Sequence, residues 1–161
     1  HATVFMGVPT YYTRLLRQLI HQNDCEVMRV HISLSAPLLA QTFKAWEDTT
    51  CTLLLYRYGM SETGMNTANP LDGERKPGTV GPPLPGVECL VVNDAGDVLP
   101  AGETGHLWVR GPNVFQGYWQ NEEKTAESFT PDGYFKTGDL AVIDDEGYIS
   151  IVGRSISIVS D

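Results

Sequence analysis

Basic residues are scarce in this chain. Its 161 residues hold 11 Lys and Arg against 20 Asp and Glu, a formal charge of −9. That balance leaves no basic patch and argues against nucleic acid as a main partner. A nucleotide is not excluded, because backbone N–H groups, a metal ion and one or two cations suffice to hold one. Cysteine is also sparse: Cys25, Cys51 and Cys89 are odd in number, widely spaced, and lack a CxxC or a matching His pair. This suggests neither a disulfide framework nor a zinc site and points to a reducing compartment. No apolar run approaches the ~18 residues of a membrane helix, so no membrane span is expected. The first residues do not show the pattern of a signal peptide.

What is present, 42% hydrophobic and 19% charged residues, describes a globular protein able to bury a real core. HATVFM already reads as a buried strand, and ISIVSD stops without a cap or polar tail. The expectation is therefore a fragment of a larger protein.

After the opening strand, residues 11–23 carry Tyr12, Leu15, Leu16, Leu19 and Ile20 at helical spacing, with Arg14 and Arg17 in the early turns. Residues 27–34 alternate and are rich in Val and Ile, which predicts a strand. Helix-forming residues follow Pro37 over 36–46, and 52–56 is another short apolar strand. This alternation predicts a parallel sheet with flanking crossover helices, whose ligands gather outside the carboxyl ends of the strands. The loops beginning at Ser33 and Tyr58 would share that rim.

From Lys76 onward Gly and Pro recur every few residues, in PGTVGPPLPGVE, NDAGD, PAGETG, PDG, TGD and DEG. Short apolar runs lie between them, at 87–92, 106–110 and 148–152. The pattern predicts a small antiparallel β-barrel or sandwich with one helix near 122–129. The fold class is thus α/β: a partial parallel sheet over 1–75, a β-barrel subdomain over 76–152, and a hinge over 153–161.

Three turns carry polar groups suited to chemistry. YGMSE supplies a hydroxyl for a phosphate oxygen at Ser61, and a carboxylate for Mg2+, a hard cation that prefers oxygen ligands, at Glu62. Taken alone it is as readily a helix start, with Glu62 a first-turn acid. In TGD, Asp139 is able to accept both hydroxyls of a ribose, although an isolated acidic turn is usually just a turn. Arg154, after the last apolar run, offers a planar fork of donors or is an ordinary surface arginine.

Their order changes these weights. YGMSE, GETGHLWVRGPNVFQGYW, DGYFKTGDL and GYISIVGR follow one another as in the acyl- and aryl-CoA synthetase, adenylation domain and luciferase superfamily, which the chain resembles over nearly its whole length. The resemblance implies ATP, Mg2+ and CoA, with adenylation of a carboxylate followed by transfer of the acyl group to a thiol. It implies that Ser61 contacts phosphate and that Glu62 coordinates Mg2+. Asp139 would bind the ribose hydroxyls with help from Arg154. Ser35, Ala36 and Pro37 would lie between adenine and the acyl pocket, beside Tyr56 and Arg57. The phosphate loop and the C-terminal catalytic lysine of such enzymes are not among these residues, so the piece alone is expected to be inactive.

Within that superfamily FMGVPTYYTRLL, SAPLLA, RYGMSETGMNTANPLDGERKPGTVG and GPNVFQGYW look like the malonyl-CoA synthetases. Malonate keeps a second carboxylate after the first has reacted, so its pocket needs a fixed positive charge. Arg57 and Arg14 are the candidates, and Met60 would bound the pocket. Arg14 is equally well a solvated helix face. A general short- or medium-chain fatty acyl-CoA or aryl-CoA ligase, a catalytically silent nucleotide-binding module, and a carrier-dependent adenylation domain remain as rivals. Three positions depart from the family pattern: Leu34 stands where a glycine is usual, Ser61 replaces the commoner Thr, and Ile156 and Ser157 replace a Lys-Asp pair at the hinge. The resemblance implies a cytoplasmic enzyme, or one of the mitochondrial matrix in a eukaryote, acting on a small carboxylic acid. Oligomeric state is left open.

Overall fold

The computed structural model describes residues 2–18, 22–34 and 38–155. Two four-stranded sheets carry the architecture. In the first, β1 (Val4–Gly7), β2 (Val30–Ser33) and β3 (Leu54–Met60) run parallel, and β4 (Gly64–Ala68) returns antiparallel to β3. Parallel neighbours need long crossovers. These are supplied by α1 (Pro9–Arg17) with α2 (Gln22–Cys25), and then by α3 (Ala40–Thr50).

The crossover helices are fixed by aromatic packing. Tyr12 of α1 and Trp46 of α3 are fully buried and meet edge to face at 5.0 Å. Their polar ends are satisfied: the Tyr12 hydroxyl donates to the Ile32 carbonyl at 2.6 Å, and Trp46 Nε1 donates to Thr52 Oγ1 at 3.1 Å. Helix α3 closes on Cys51 in the left-handed conformation, φ 54°, with its N–H on the Glu47 carbonyl.

The second sheet is antiparallel throughout, in the order β5 (Glu88–Val92), β6 (Thr104–Arg110), β7 (Phe135–Ile143), β8 (Ile149–Arg154). A short helix α4 (Glu122–Ser128) precedes β7, its N-terminus capped by the Asn121 side chain, which accepts from the Lys124 N–H. The expected barrel is not found: among the described residues β5 and β8 do not pair with each other, and the sheet is open, its outer strands touched only by isolated bridges from Val98 and Gly81. Four strands are too few to close around a filled interior, which takes about eight. The alternating burial along β6 and β7 instead gives the sheet one packed and one wetter face.

Residues 79–84 join the two sheets. The Val80 N–H donates to the Ile149 carbonyl at 2.7 Å, and the Leu84 N–H to the Asn66 carbonyl at 2.9 Å. The fit is close at Gly81, φ 80°, where a Cβ would lie 2.1 Å from the Ala68 carbonyl. One apolar cluster therefore runs from Trp46 and Leu54 through Val80 to Leu107 and Ile149.

Several boundaries differ from the sequence reading. The expected helix over 11–23 is α1 and the separate α2. The helix expected over 36–46 begins at Ala40 and continues to Thr50, and the strand over 27–34 narrows to Val30–Ser33. Strand β3 continues to Met60, beyond the expected end at 56, because β4 gives it an antiparallel partner. The sequence SETG is consequently the tip of a β-hairpin and not a helix start. Among the described residues no helix is long and apolar enough to cross a membrane.

Candidate active site

The β3–β4 hairpin is built around glycine. A Cβ on Gly59 would lie 1.9 Å from the Gly64 carbonyl oxygen, so only glycine lets the two strands approach there. The register slips between Tyr58 and Gly59, and Gly64 takes φ 58°. This bulge and tight return carry Ser61 and Glu62 at the tip, Ser61 exposed and Glu62 half-buried.

The segment after β6 holds that tip from the second sheet. Asn113 Nδ2 donates to the carbonyls of Thr63 at 2.7 Å and Met65 at 3.1 Å, and to Asn66 Oδ1 at 3.0 Å. The Phe115 N–H donates to the Glu62 carbonyl at 2.8 Å. The Tyr118 hydroxyl donates to Glu62 Oε1 at 3.3 Å; burial, and then the Glu62 charge, push that phenol's pKa upward.

Across the cavity stands Asp139 of β7, only 7% exposed. A buried carboxylate needs partners, and two other strands supply them. Tyr58 of β3 donates its hydroxyl to Oδ2 at 2.5 Å, and Arg154 of β8 donates Nε to Oδ1 at 3.0 Å. Thr137 Oγ1 accepts from the Asp139 N–H at 3.1 Å and donates to the Leu107 carbonyl. The β7–β8 register sets Asp139 opposite Arg154. Burial above all, then Asp139, raises the Tyr58 pKa, so this phenol is a donor throughout the neutral range. Asp139 likewise raises the Arg154 pKa.

These groups line one open cavity of about 710 Å³. It brings together Tyr56, Arg57, Met60, Ser61, Glu62, Asp139 and Arg154 of the predicted set, along with Tyr58. Tyr56 is buried with its hydroxyl accepting from the Leu38 N–H at 3.2 Å. Arg57 leans on Met6, its Nη2 3.1 Å from the sulfur, while its buried Nε has no partner among the described residues. It also borders a second recess of about 340 Å³ between Ile32 and Leu84. Arg14 is exposed on α1 and lines neither cavity, nor does the half-buried Leu34. Ser35, Ala36 and Pro37 lie outside the described residues, as do Ile156 and Ser157.

The donor set suits a polar, charged ligand. The two hydrogen bonds to Asp139 leave lone pairs on each oxygen, enough for a vicinal diol. Glu62 offers hard oxygen to a cation at the cavity wall. Among the described residues no group of three or more His, Cys, Asp or Glu could hold a metal by itself. Mg2+ is usually held by one or two carboxylates together with water and substrate phosphates, and Glu62 offers one such carboxylate. Sequence reasoning missed Tyr58, Asn113 and Tyr118 as site residues. All three lie inside the motifs quoted above; what the sequence hides is the long-range pairing that gives them a task.

The family model described as AMP-binding enzyme matches residues 1–119. The malonate–CoA ligase of Arabidopsis thaliana is 45% identical over 163 residues, which is 95% of this chain and 26% of that protein. The mitochondrial malonate–CoA ligase of Mus musculus is 38% identical, over 98% of this chain and 32% of that one. The crystal structure of ATP-bound MatB from Rhodopseudomonas palustris superposes with a TM-score of 0.93 at 54% identity, covering 96% of this chain and 31% of that chain. The chain thus spans between a quarter and a third of the length of these relatives. The family model covers well over half of the chain, and by that measure the chain belongs to the AMP-binding enzyme family.

Proposed function

We propose that the protein containing this chain is an ATP-dependent, AMP-forming malonate–CoA ligase. The observation that carries the substrate assignment is Arg57, a guanidinium at the wall of the main cavity whose buried Nε has no partner among the described residues. A buried, unpaired donor on a charged group is costly unless a ligand completes it. A carboxylate held through the planar fork does so, and Met6 against Nη2 leaves the rest of the guanidinium for it. The second carboxylate of malonate would occupy this place, with Met60 limiting substituents on the central carbon. Names of the relatives, malonate–CoA ligases of plant and mouse, support the same reading.

The remaining roles follow from position. Asp139, fixed by Tyr58 and Arg154, would take the ribose hydroxyls. Ser61 at the exposed tip would donate to phosphate, and Glu62 would hold Mg2+. The reacting carboxylate of the acid attacks the α-phosphorus of ATP and pyrophosphate leaves. The acyl adenylate is then attacked by the CoA thiol, and AMP departs. Mg2+, when bound, offsets the repulsion between carboxylate and triphosphate as charge builds in the first step. Arg57 would hold the non-reacting carboxylate away from phosphorus while the other is adenylated. Ser35, Ala36, Pro37 and Arg14 belong to the same proposal on family resemblance alone. So do the units 1–75 and 76–152, followed by a hinge over 153–161, and a place in the cytoplasm or, as in the mouse relative, in mitochondria.

A general acyl- or aryl-CoA ligase is the competing assignment, and it needs no cation in the acyl pocket. The test is pyrophosphate release by the full-length protein with ATP, CoA and malonate, acetate, octanoate or benzoate, in wild type and Arg57→Ala. Malonate-selective turnover that the substitution abolishes supports the proposal. Turnover of monocarboxylates that survives it supports the competitor.

A further inference from the structure

The tip of the β3–β4 hairpin is poorly stiffened by its own strands. It has glycine at both shoulders, Gly64 has no neighbour within 4 Å of where a side chain would begin, and Ser61 is exposed. What holds it comes from residues 113–118, the segment that follows β6 of the other sheet. Asn113 Nδ2 has two hydrogens and three acceptors, the carbonyls of Thr63 and Met65 and Asn66 Oδ1, so it grips the chain on both sides of Gly64. Phe115 pins the Glu62 backbone through its N–H. Tyr118 is the hydrogen-bond partner of the Glu62 carboxylate among the described residues.

That segment is itself anchored. The Phe115 ring packs on Tyr118 at 4.9 Å and on Phe135 of β7 at 5.3 Å, and the Tyr118 N–H donates to Thr125 Oγ1 of α4 at 2.9 Å. Its own polar interior is not what stability alone would select. Thr63 Oγ1, Asn66 Nδ2 and Asn113 Oδ1 are buried there without partners among the described residues. An apolar junction of the same shape avoids that cost. A polar one is retained where it fixes a geometry.

We propose that Asn113 and Tyr118 form a clasp that sets the Glu62 carboxylate against the ribose end of the cavity, and that they are positioning residues for the metal–nucleotide complex. Glu62 sits on one sheet and Asp139 on the other. The clasp is the link that fixes the distance between a metal-holding oxygen and a diol-holding one. This inference rests on the reading of Glu62 as the Mg2+ ligand.

The test uses the full-length protein with Mn2+ as the spectroscopic stand-in for Mg2+. Mn2+ binding is measured by electron paramagnetic resonance with α,β-methylene-ATP present, and AMP binding is measured separately without metal. Variants are Tyr118→Phe, Asn113→Ser and, as the reference, Glu62→Gln. Loss of a side chain that orients a metal ligand costs about 10-fold in affinity or more. A weakening of about 10-fold in Mn2+ affinity is expected for Asn113→Ser, and several-fold for Tyr118→Phe, with metal-free AMP binding unchanged. If Asn113→Ser does not fold, Tyr118→Phe decides, since it keeps the ring on Phe115. Wild-type Mn2+ binding in the clasp variants alongside its loss in Glu62→Gln overturns the clasp while leaving Glu62 its role. Unchanged Mn2+ binding in Glu62→Gln overturns both. Equal weakening of Mn2+ and metal-free AMP assigns the segment to general stability and also overturns the inference.

Discussion

Replacing Tyr58 with Phe removes one oxygen and leaves the ring in place, so its effect is worked out from a single bond. The phenol donates at 2.5 Å to a carboxylate that is 7% exposed. The other side-chain partner, Arg154, has a side chain 71% exposed, and a solvated ion pair contributes at most about 1 kcal/mol. The Tyr58 bond is thus the principal compensation for burying Asp139. Hydrogen bonds to charged groups are worth about 1.5–3 kcal/mol, so Tyr58→Phe is expected to lower stability by about 2 kcal/mol. Urea unfolding followed by circular dichroism reads this as a lower midpoint at unchanged slope. The pH dependence has a definite sign. The folded-state pKa of Tyr58 lies above its unfolded value near 10, so its contribution is complete below about pH 10 and falls as pH rises further. The gap between wild type and variant therefore narrows above pH 10. A gap below about 0.5 kcal/mol at neutral pH, or one that widens in alkali, refutes the reasoning.

Gly59→Ala places a Cβ 1.9 Å from the Gly64 carbonyl. It is expected to open the hairpin and to abolish nucleotide binding in an equilibrium dialysis assay while β1 to β3 keep their far-UV signal. Trp46→Ala empties the largest fully buried side chain and is expected to cost about 3–5 kcal/mol in chemical unfolding. Among the cysteines, Cys51 is exposed, whereas burial raises the pKa of Cys25 and pushes that of Cys89 up to about 12. Iodoacetamide at pH 7.5 is accordingly expected to label Cys51 well before the other two, as read by peptide mass spectrometry.

The elements that could be read from the sequence are those whose causes are local. Helical spacing of Tyr12, Leu15 and Leu16 announces α1, and the alternation of strand and helix gives the parallel sheet. Glycine and proline at short intervals after Lys76 give antiparallel strands. Closure of those strands is not legible in the same pattern, because turns specify that strands reverse, whereas closure depends on strand number and stagger. The hairpin is hidden for a similar reason: β3 extends through Gly59 because β4 pairs with it, and nothing local to YGMSE encodes that partner.

The site divides in the same way. Ser61, Glu62, Asp139 and Arg154 stand in short motifs whose residue types suggest their chemistry. Tyr58 acquires its role only through Asp139, 81 positions away. Asn113 acquires its role through carbonyls about fifty positions upstream. A side chain that acts on the backbone of a distant turn leaves no pattern in either segment. Arg14, exposed on α1, lines neither described cavity, and its place in the proposal rests on resemblance alone.

The account turns most directly on what Arg57 does. Pyrophosphate release by the full-length protein, compared between malonate and acetate in wild type and Arg57→Ala, isolates that question. The account predicts malonate-selective release that falls by at least about 100-fold with the substitution, as expected when a buried carboxylate loses its paired cation, with no gain for acetate beyond a few-fold. Retained malonate selectivity in Arg57→Ala, or wild-type preference for acetate, contradicts it.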